Sequence, residues 1–122
     1  MNHKIKRGDV YMIPGLINQN SHVQSGTRPW IVVSNDDVAI ENSPVLLMVP
    51  LTGHIQRLDI PSHIPLIWQG IQGSMALCEQ VRPMDVRVNE WEYICTLPKE
   101  IMTHIDKAIT AAFFFKGGAA HA

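Results

Sequence analysis

Residues 26–36, GTRPWIVVSND, set an arginine against a proline at the mouth of an almost unbroken apolar run. Trp30, Ile31, Val32 and Val33 read as a short buried strand, whereas Arg28 cannot lose its charge at any ordinary pH. The guanidinium therefore stops at the rim of a core. A cation held there is either paired or placed to receive an anion.

Working outward, a second apolar run, Val45 to Leu51, follows NDDVAIENSP, a turn-rich excursion of the kind that joins strands of a barrel or sandwich. These two runs are the expected centre of the fold. Upstream, Gly8 to Pro14 mixes β-branched and aromatic residues between two chain breakers and predicts a first strand. Gly15 to Thr27 is polar, aperiodic and long for a connector, which predicts a surface loop and candidate lid. Downstream, DIPSHIPL (59–66) carries two prolines that cannot donate to a ladder, so it predicts an edge or bulged strand. WQGIQG (68–73) turns the chain, Ser74 to Val81 predicts another buried strand, and Trp91 to Thr96 a short last one.

From Pro98 the period changes. Ile101, Ile105, Ala108, Ile109, Ala112 and Phe113 fall on one face of a helix, and Lys99, Glu100, Thr103, His104, Asp106 and Lys107 on the other. Pro98 suits a first helical position and Glu100 complements the dipole. Three consecutive phenylalanines, 113 to 115, cannot share one face, so part of that triplet is expected to cover a subunit or ligand contact. Gly117-Gly118 ends the helix.

At 122 residues the chain is long enough for one core and too short for two. Residues 1–116 are read as one domain and 117–122 as a disordered tail. The composition, 46% hydrophobic and 17% charged, is that of a soluble globular protein. No segment approaches the roughly 18 apolar residues of a membrane helix, and no apolar stretch follows the basic start, so a cytoplasmic protein is expected. The net charge of −1 argues against wholesale neutralisation of a polyanion, leaving only a local patch for that purpose. Cys78 and Cys95 stand alone, without metal-ligand spacing, and read as small core residues; neither a metal nor a cofactor is expected.

Polar groups interrupt the apolar strands in four places: Arg28, Thr52 beside Gly53, the segment CEQVRP (78–83) with Glu79, Gln80 and Arg82, and His22 in the loop before Arg28. Each has a structural reading. A strand glutamate is commonly solvent-facing or ion-paired, with Arg28 or Arg82 as its partner; Thr52 is a good strand and turn residue; His22 can simply be solvated; and Arg82 can merely anchor the chain before Pro83.

In chain order, however, RGDVY, SGTRPWIVVSND, VPLT, PSHIPL, GSMALCEQVRPMD and LPKEIMTHIDKAI resemble the MazF/PemK family of toxin endoribonucleases of bacterial type II toxin–antitoxin systems, over residues 6 to about 114. The resemblance implies a mainly β fold with a C-terminal α-helix, an SH3-like β-barrel of the MazF/PemK/CcdB type, paired as a homodimer whose RNA groove crosses both subunits. It implies metal-independent cleavage of single-stranded RNA at short motifs, and an antitoxin as inhibitory partner. Carried onto this chain, the family's arginine and threonine fall on Arg28 and Thr52, and its acid on Glu79, the preferred general base if burial beside a strand core lifts its pKa. His22 competes for that role, at the spacing of a histidine proposed as base in one branch of the family. That branch also has an arginine two residues ahead of the acid, where this chain has Leu77. Gln24, Thr27, His54, Gln80 and Arg82 are the candidates for RNA contact. A CcdB-like gyrase-binding toxin and a noncatalytic RNA-binding barrel are the alternatives.

Overall fold

The two apolar runs become adjacent antiparallel strands with buried side chains on both faces. In the computed structural model, which describes residues 4–15, 27–36, 43–88 and 90–114, these are β2 (Arg28–Val32) and β3 (Val45–Thr52). The others are β1 (Asp9–Ile13), β4 (His63–Leu66), β5 (Ser74–Leu77), β6 (Arg82–Asp85), β7 (Glu92–Thr96) and the helix α1 (Lys99–Phe114). The strands form one antiparallel sheet in the order β4-β5-β3-β2-β1-β7, with β6 also on β3. This is the mainly β fold with a C-terminal helix expected from the sequence; β4 and β7 stand at opposite ends of the order, so the barrel is not closed.

Alternation along the strands explains why the runs look continuous. Val10, Ile31, Val49 and Leu51 pack on one side with Met102, Ile105 and Ala108 of α1. Tyr11, Ile13, Trp30, Val32, Leu46 and Met48 pack on the other under Ile5, Met84 and Trp91. With both faces covered, neither alternate set can be polar. Arg7 fastens α1 to the sheet: Nη1 donates to Val33 O at 2.6 Å and Nη2 to both Asp106 oxygens at 2.6 Å.

Two expectations need correction. The strand expected over Ser74 to Val81 stops at Leu77, where Cys78–Gln80 form a 3-10 turn before the chain resumes as β6. One edge of β3 is thereby shared: Val45 to Met48 pair with β6, Leu51 and Thr52 with β5. The break falls opposite Val49 and Pro50, and Pro50 has no N–H to offer a ladder. On α1 the buried residues are Met102, Ile105 and Ala108, while Ala112 and Phe113 are exposed. The last turn overruns the sheet, leaving Phe113 67% and Phe114 74% exposed. Phe115 and the 117–122 tail lie outside the described residues. No described helix is long and apolar enough to cross a membrane.

Cys78 is fully buried, and burial pushes its thiol up to about 12, with the Glu79 charge adding to the effect. Cys95 is half-buried and shifted the same way, again chiefly by burial. The thiolate is the reactive form, so an aromatic disulfide reagent at pH 8 is expected to label neither cysteine until the protein is unfolded. Prompt labelling of Cys78 in the native protein would contradict this packing.

Candidate functional site

Arg28 opens β2 and Thr52 closes β3, and the register that sets Trp30 opposite Pro50 brings the two to the same end of the ladder when carried two residues further. Both belong to the alternate set that includes Trp30 and Val32, on the sheet face away from α1. Arg28 is half-buried, and its Nη1 donates to Leu51 O at 3.2 Å, which draws the guanidinium against β3. Burial pushes its pKa down from the ordinary value, yet arginine starts so high that it stays cationic. A partly desolvated cation attracts an incoming anion more strongly than one in bulk water.

Among the described residues this end of the ladder is open. Thr27, Gly53 and His54 are exposed, and a Cβ built on Gly53 would meet no heavy atom within 4 Å. The Thr52 hydroxyl accepts from the His54 N–H at 3.1 Å, folding the start of the next loop back over the strand end. The His54 ring lies 3.2 Å from Gln56 Oε1. Arg82 pairs with Met48 on the same sheet face, its guanidinium 5.8 Å from the centre of the buried Trp30 ring. The structure thus gathers Thr27, Arg28, Thr52 and His54 at one strand end, with Arg82 further along that face.

Glu79 is placed differently from the expectation. It sits exposed on the 3-10 turn, not buried beside a strand core, and its partners are neither Arg28 nor Arg82. Ser62 Oγ donates to its Oε1 at 2.7 Å, and His63 Nε2 lies 3.1 Å from its Oε2. Ser62 and His63 were not singled out from the sequence; the serine–histidine pair inside PSHIPL, a motif otherwise so apolar, was the available signal. Gln80 is half-buried on the same turn. His22 and Gln24 lie outside the described residues.

Two clefts lie among the described residues away from this strand end. An apolar one of about 360 Å³ runs between β4 and α1, lined by Ile64, Leu66, Ile67 and Ile101 among others, and a polar one of about 480 Å³ lies between Arg7, Asp36 and the start of α1. Among the described residues no three His, Cys, Asp or Glu side chains gather in a way that could hold a metal ion.

Fold and site together define a small, mainly β protein with a cationic lip at a strand end, on the side away from its C-terminal helix. The chain belongs to the family of PemK-like, MazF-like toxins of type II toxin–antitoxin systems, which it matches over residues 6–113. Its fold is similar to that of MazF from Deinococcus radiodurans, with a TM-score of 0.75 at 17% identity over 90% of this chain and 96% of that one. It is similar also to an endoribonuclease in complex with its cognate antitoxin from a mycobacterial species (TM-score 0.69, 18% identity, 88% and 93% covered). A MazE–MazF complex from D. radiodurans gives 0.69 at 19% identity, with 90% and 96% covered.

Proposed function

We propose that this chain is a sequence-specific endoribonuclease toxin that cleaves single-stranded RNA without a metal and acts in the cytoplasm, inhibiting translation and growth until an antitoxin neutralises it. The observation that carries this reading is the meeting of Arg28 and Thr52 at an open strand end in a chain of this family. RNA supplies its own nucleophile. The 2′-oxygen attacks the adjacent phosphorus, the bond to the 5′-oxygen breaks, and the products are a 2′,3′-cyclic phosphate and a 5′-hydroxyl.

The protein must stabilise the extra negative charge of the phosphorane. Arg28 supports that task, because its planar fork donates to two phosphate oxygens at once and keeps its charge. Its β2 anchorage and the Leu51 carbonyl limit the freedom lost on engagement. Thr52 offers one further hydroxyl donor. Thr27, His54, Gln80 and Arg82 would contact RNA on either side, together with Gln24. Glu79 is turned toward β4, so we assign the proton of the 2′-hydroxyl to His22, an imidazole ordinarily titrating near 6.5.

A homodimer whose groove spans both subunits is part of the same proposal, supported by the exposed Phe113 and Phe114 on α1. So is an antitoxin segment that folds along the groove, its carboxylates standing in for phosphates. The test is incubation of the purified protein with synthetic single-stranded RNA in excess EDTA, reading new 5′ ends by sequencing. Cuts at a recurring motif, absent with Arg28→Ala, are expected. Intact RNA would overturn the reading and favour a gyrase-binding or noncatalytic protein.

A further inference from the structure

We propose that Glu79 is a positioning residue: with His63 it forms a hydrogen-bonded strut that holds the loop carrying His54 in place over Thr52. This inference rests on the RNA-cleavage reading and removes Glu79 from direct chemistry.

The carboxylate points the wrong way for a base at Arg28. In the sheet order β4-β5-β3-β2, its partners Ser62 and His63 stand at the start of β4. Arg28 is on β2, three strand spacings of about 4.8 Å away. A general base must come within about 3 Å of the proton it takes. Both Glu79 oxygens are instead engaged by side chains that are themselves withdrawn from solvent: Ser62 is 4% exposed and the His63 side chain 8%.

From Glu79 a continuous path leads back to Thr52. His63 Nε2 meets Glu79 Oε2, and its Nδ1 lies 3.2 Å from Gln56 O in the loop; both oxygens accept, so the ring donates to both as the doubly protonated imidazolium. Gln56 Oε1 lies 3.2 Å from the His54 ring, and His54 N–H donates to Thr52 Oγ1. A second tie, from Cys78 N–H to Ser62 O at 2.9 Å, fixes the far end of the loop to the 3-10 turn.

The loop needs such support, because residues 53–59 are all exposed, including Ile55 and Leu58. Arg57 adopts φ 52°, an unfavourable region for a non-glycine residue, and its ion pair with Asp59 is solvent-exposed on both sides and so contributes little. What orders Thr52 and His54 for a phosphate is therefore the strut at the loop's middle and end.

Glutamine at position 79 separates strut from base. Its oxygen can still accept from Ser62 and its amide can still meet His63, but it cannot take a proton. In steady-state assays Glu79→Ala and His63→Ala are expected to lose about tenfold in kcat with little change in KM, since the geometry around the reacting phosphate is what loosens. Glu79→Gln is expected to recover most of that loss. Amide exchange of His54, measured by NMR without RNA, should quicken several-fold in both alanine variants and return toward the parent rate in Glu79→Gln.

Glu79→Gln as slow as Glu79→Ala, with His54 exchange restored, would make Glu79 the base and overturn the proposal. Unchanged His54 exchange in His63→Ala, a variant that leaves Glu79 and its serine bond intact, would overturn it equally. If the parent protein cuts no RNA while the exchange pattern appears as described, the nuclease reading fails and the strut stands.

Discussion

An Arg28→Lys variant is expected to cleave RNA about 10³-fold more slowly than the parent, nearly as slowly as Arg28→Ala, although it keeps the positive charge. Removing one preorganised donor from a developing anion commonly costs a factor of about 10² to 10³, and Arg28 would supply two. Lysine offers a point charge on a flexible stem and cannot donate in parallel to two phosphate oxygens. Arg28 is also drawn against β3 through the Leu51 carbonyl and is half-buried; an ammonium there would carry a greater desolvation penalty than the more weakly hydrated guanidinium. The kcat and KM of the two variants, on an RNA containing the cleaved motif, decide the matter. Lysine restoring a tenth or more of the parent rate would mean that charge alone suffices and that fork geometry is not what Arg28 contributes.

The same arginine shows how far the sequence could be read. Its position at the rim was legible because a permanent cation abuts an apolar run, and a strand buried on both faces leaves it no interior place to go. The central strands were legible for that reason too: β2 and β3 feed two cores at once. The 3-10 turn at Cys78–Gln80 was not, since ALCEQV reads as one strand interrupted by polar side chains, and only the sharing of β3's edge between β5 and β6 requires the break. The helix face was legible over most of its length: Ile105 and Ala108 are buried, and Ile101 and Ile109 pack against the same core. Met102 joins them from the flank of the stripe, and the sheet ends before Ala112 and Phe113 can be covered. The partners of Glu79 lie 16 and 17 residues away in the chain. Composition and period fix which face a residue occupies, not which neighbour across a hairpin its side chain turns to. For that reason the motif that marks the acid does not disclose that Ser62 and His63 are its partners.

Asp9 carries the largest expected effect on stability. It is fully buried, yet it retains its hydrogen-bonding capacity: Oδ2 accepts from Tyr11 O–H at 2.9 Å and from Lys6 N–H at 3.0 Å, and Oδ1 accepts from Thr96 Oγ1 at 2.8 Å. The Thr96 hydroxyl in turn meets Tyr93 O–H at 2.7 Å. These bonds tie β1 to β7 at the Asp9–Thr96 pair, next to the point between Val10 and Tyr11 where the two strands slip register. Asp9→Ala removes at once the acceptor of the Tyr11 hydroxyl, the Lys6 N–H and the Thr96 hydroxyl, and a buried bond broken from one side costs about 1–3 kcal/mol. A total loss of about 3 kcal/mol or more is expected, a large share of the 5–15 kcal/mol typical of a domain, with Tm falling by about 10 °C. Tyr11→Phe should cost less, because it removes one donor and leaves the carboxylate its bonds from Lys6 N–H and Thr96 Oγ1. Burial, and next the hydrogen bond to Asp9, push the Tyr11 phenol up from its ordinary 10.0. A folded-state value above the unfolded one stabilises the fold fully below that ordinary value and loses its effect as pH rises past it, when the unfolded chain releases the proton and the folded one holds it. Thermal melts of the parent should therefore decline above about pH 10, less steeply in Tyr11→Phe. An Asp9→Ala protein melting within a degree or two of the parent would show that water or a rearranged Lys6 segment satisfies Tyr11, and that the buried carboxylate does not hold β1 to β7.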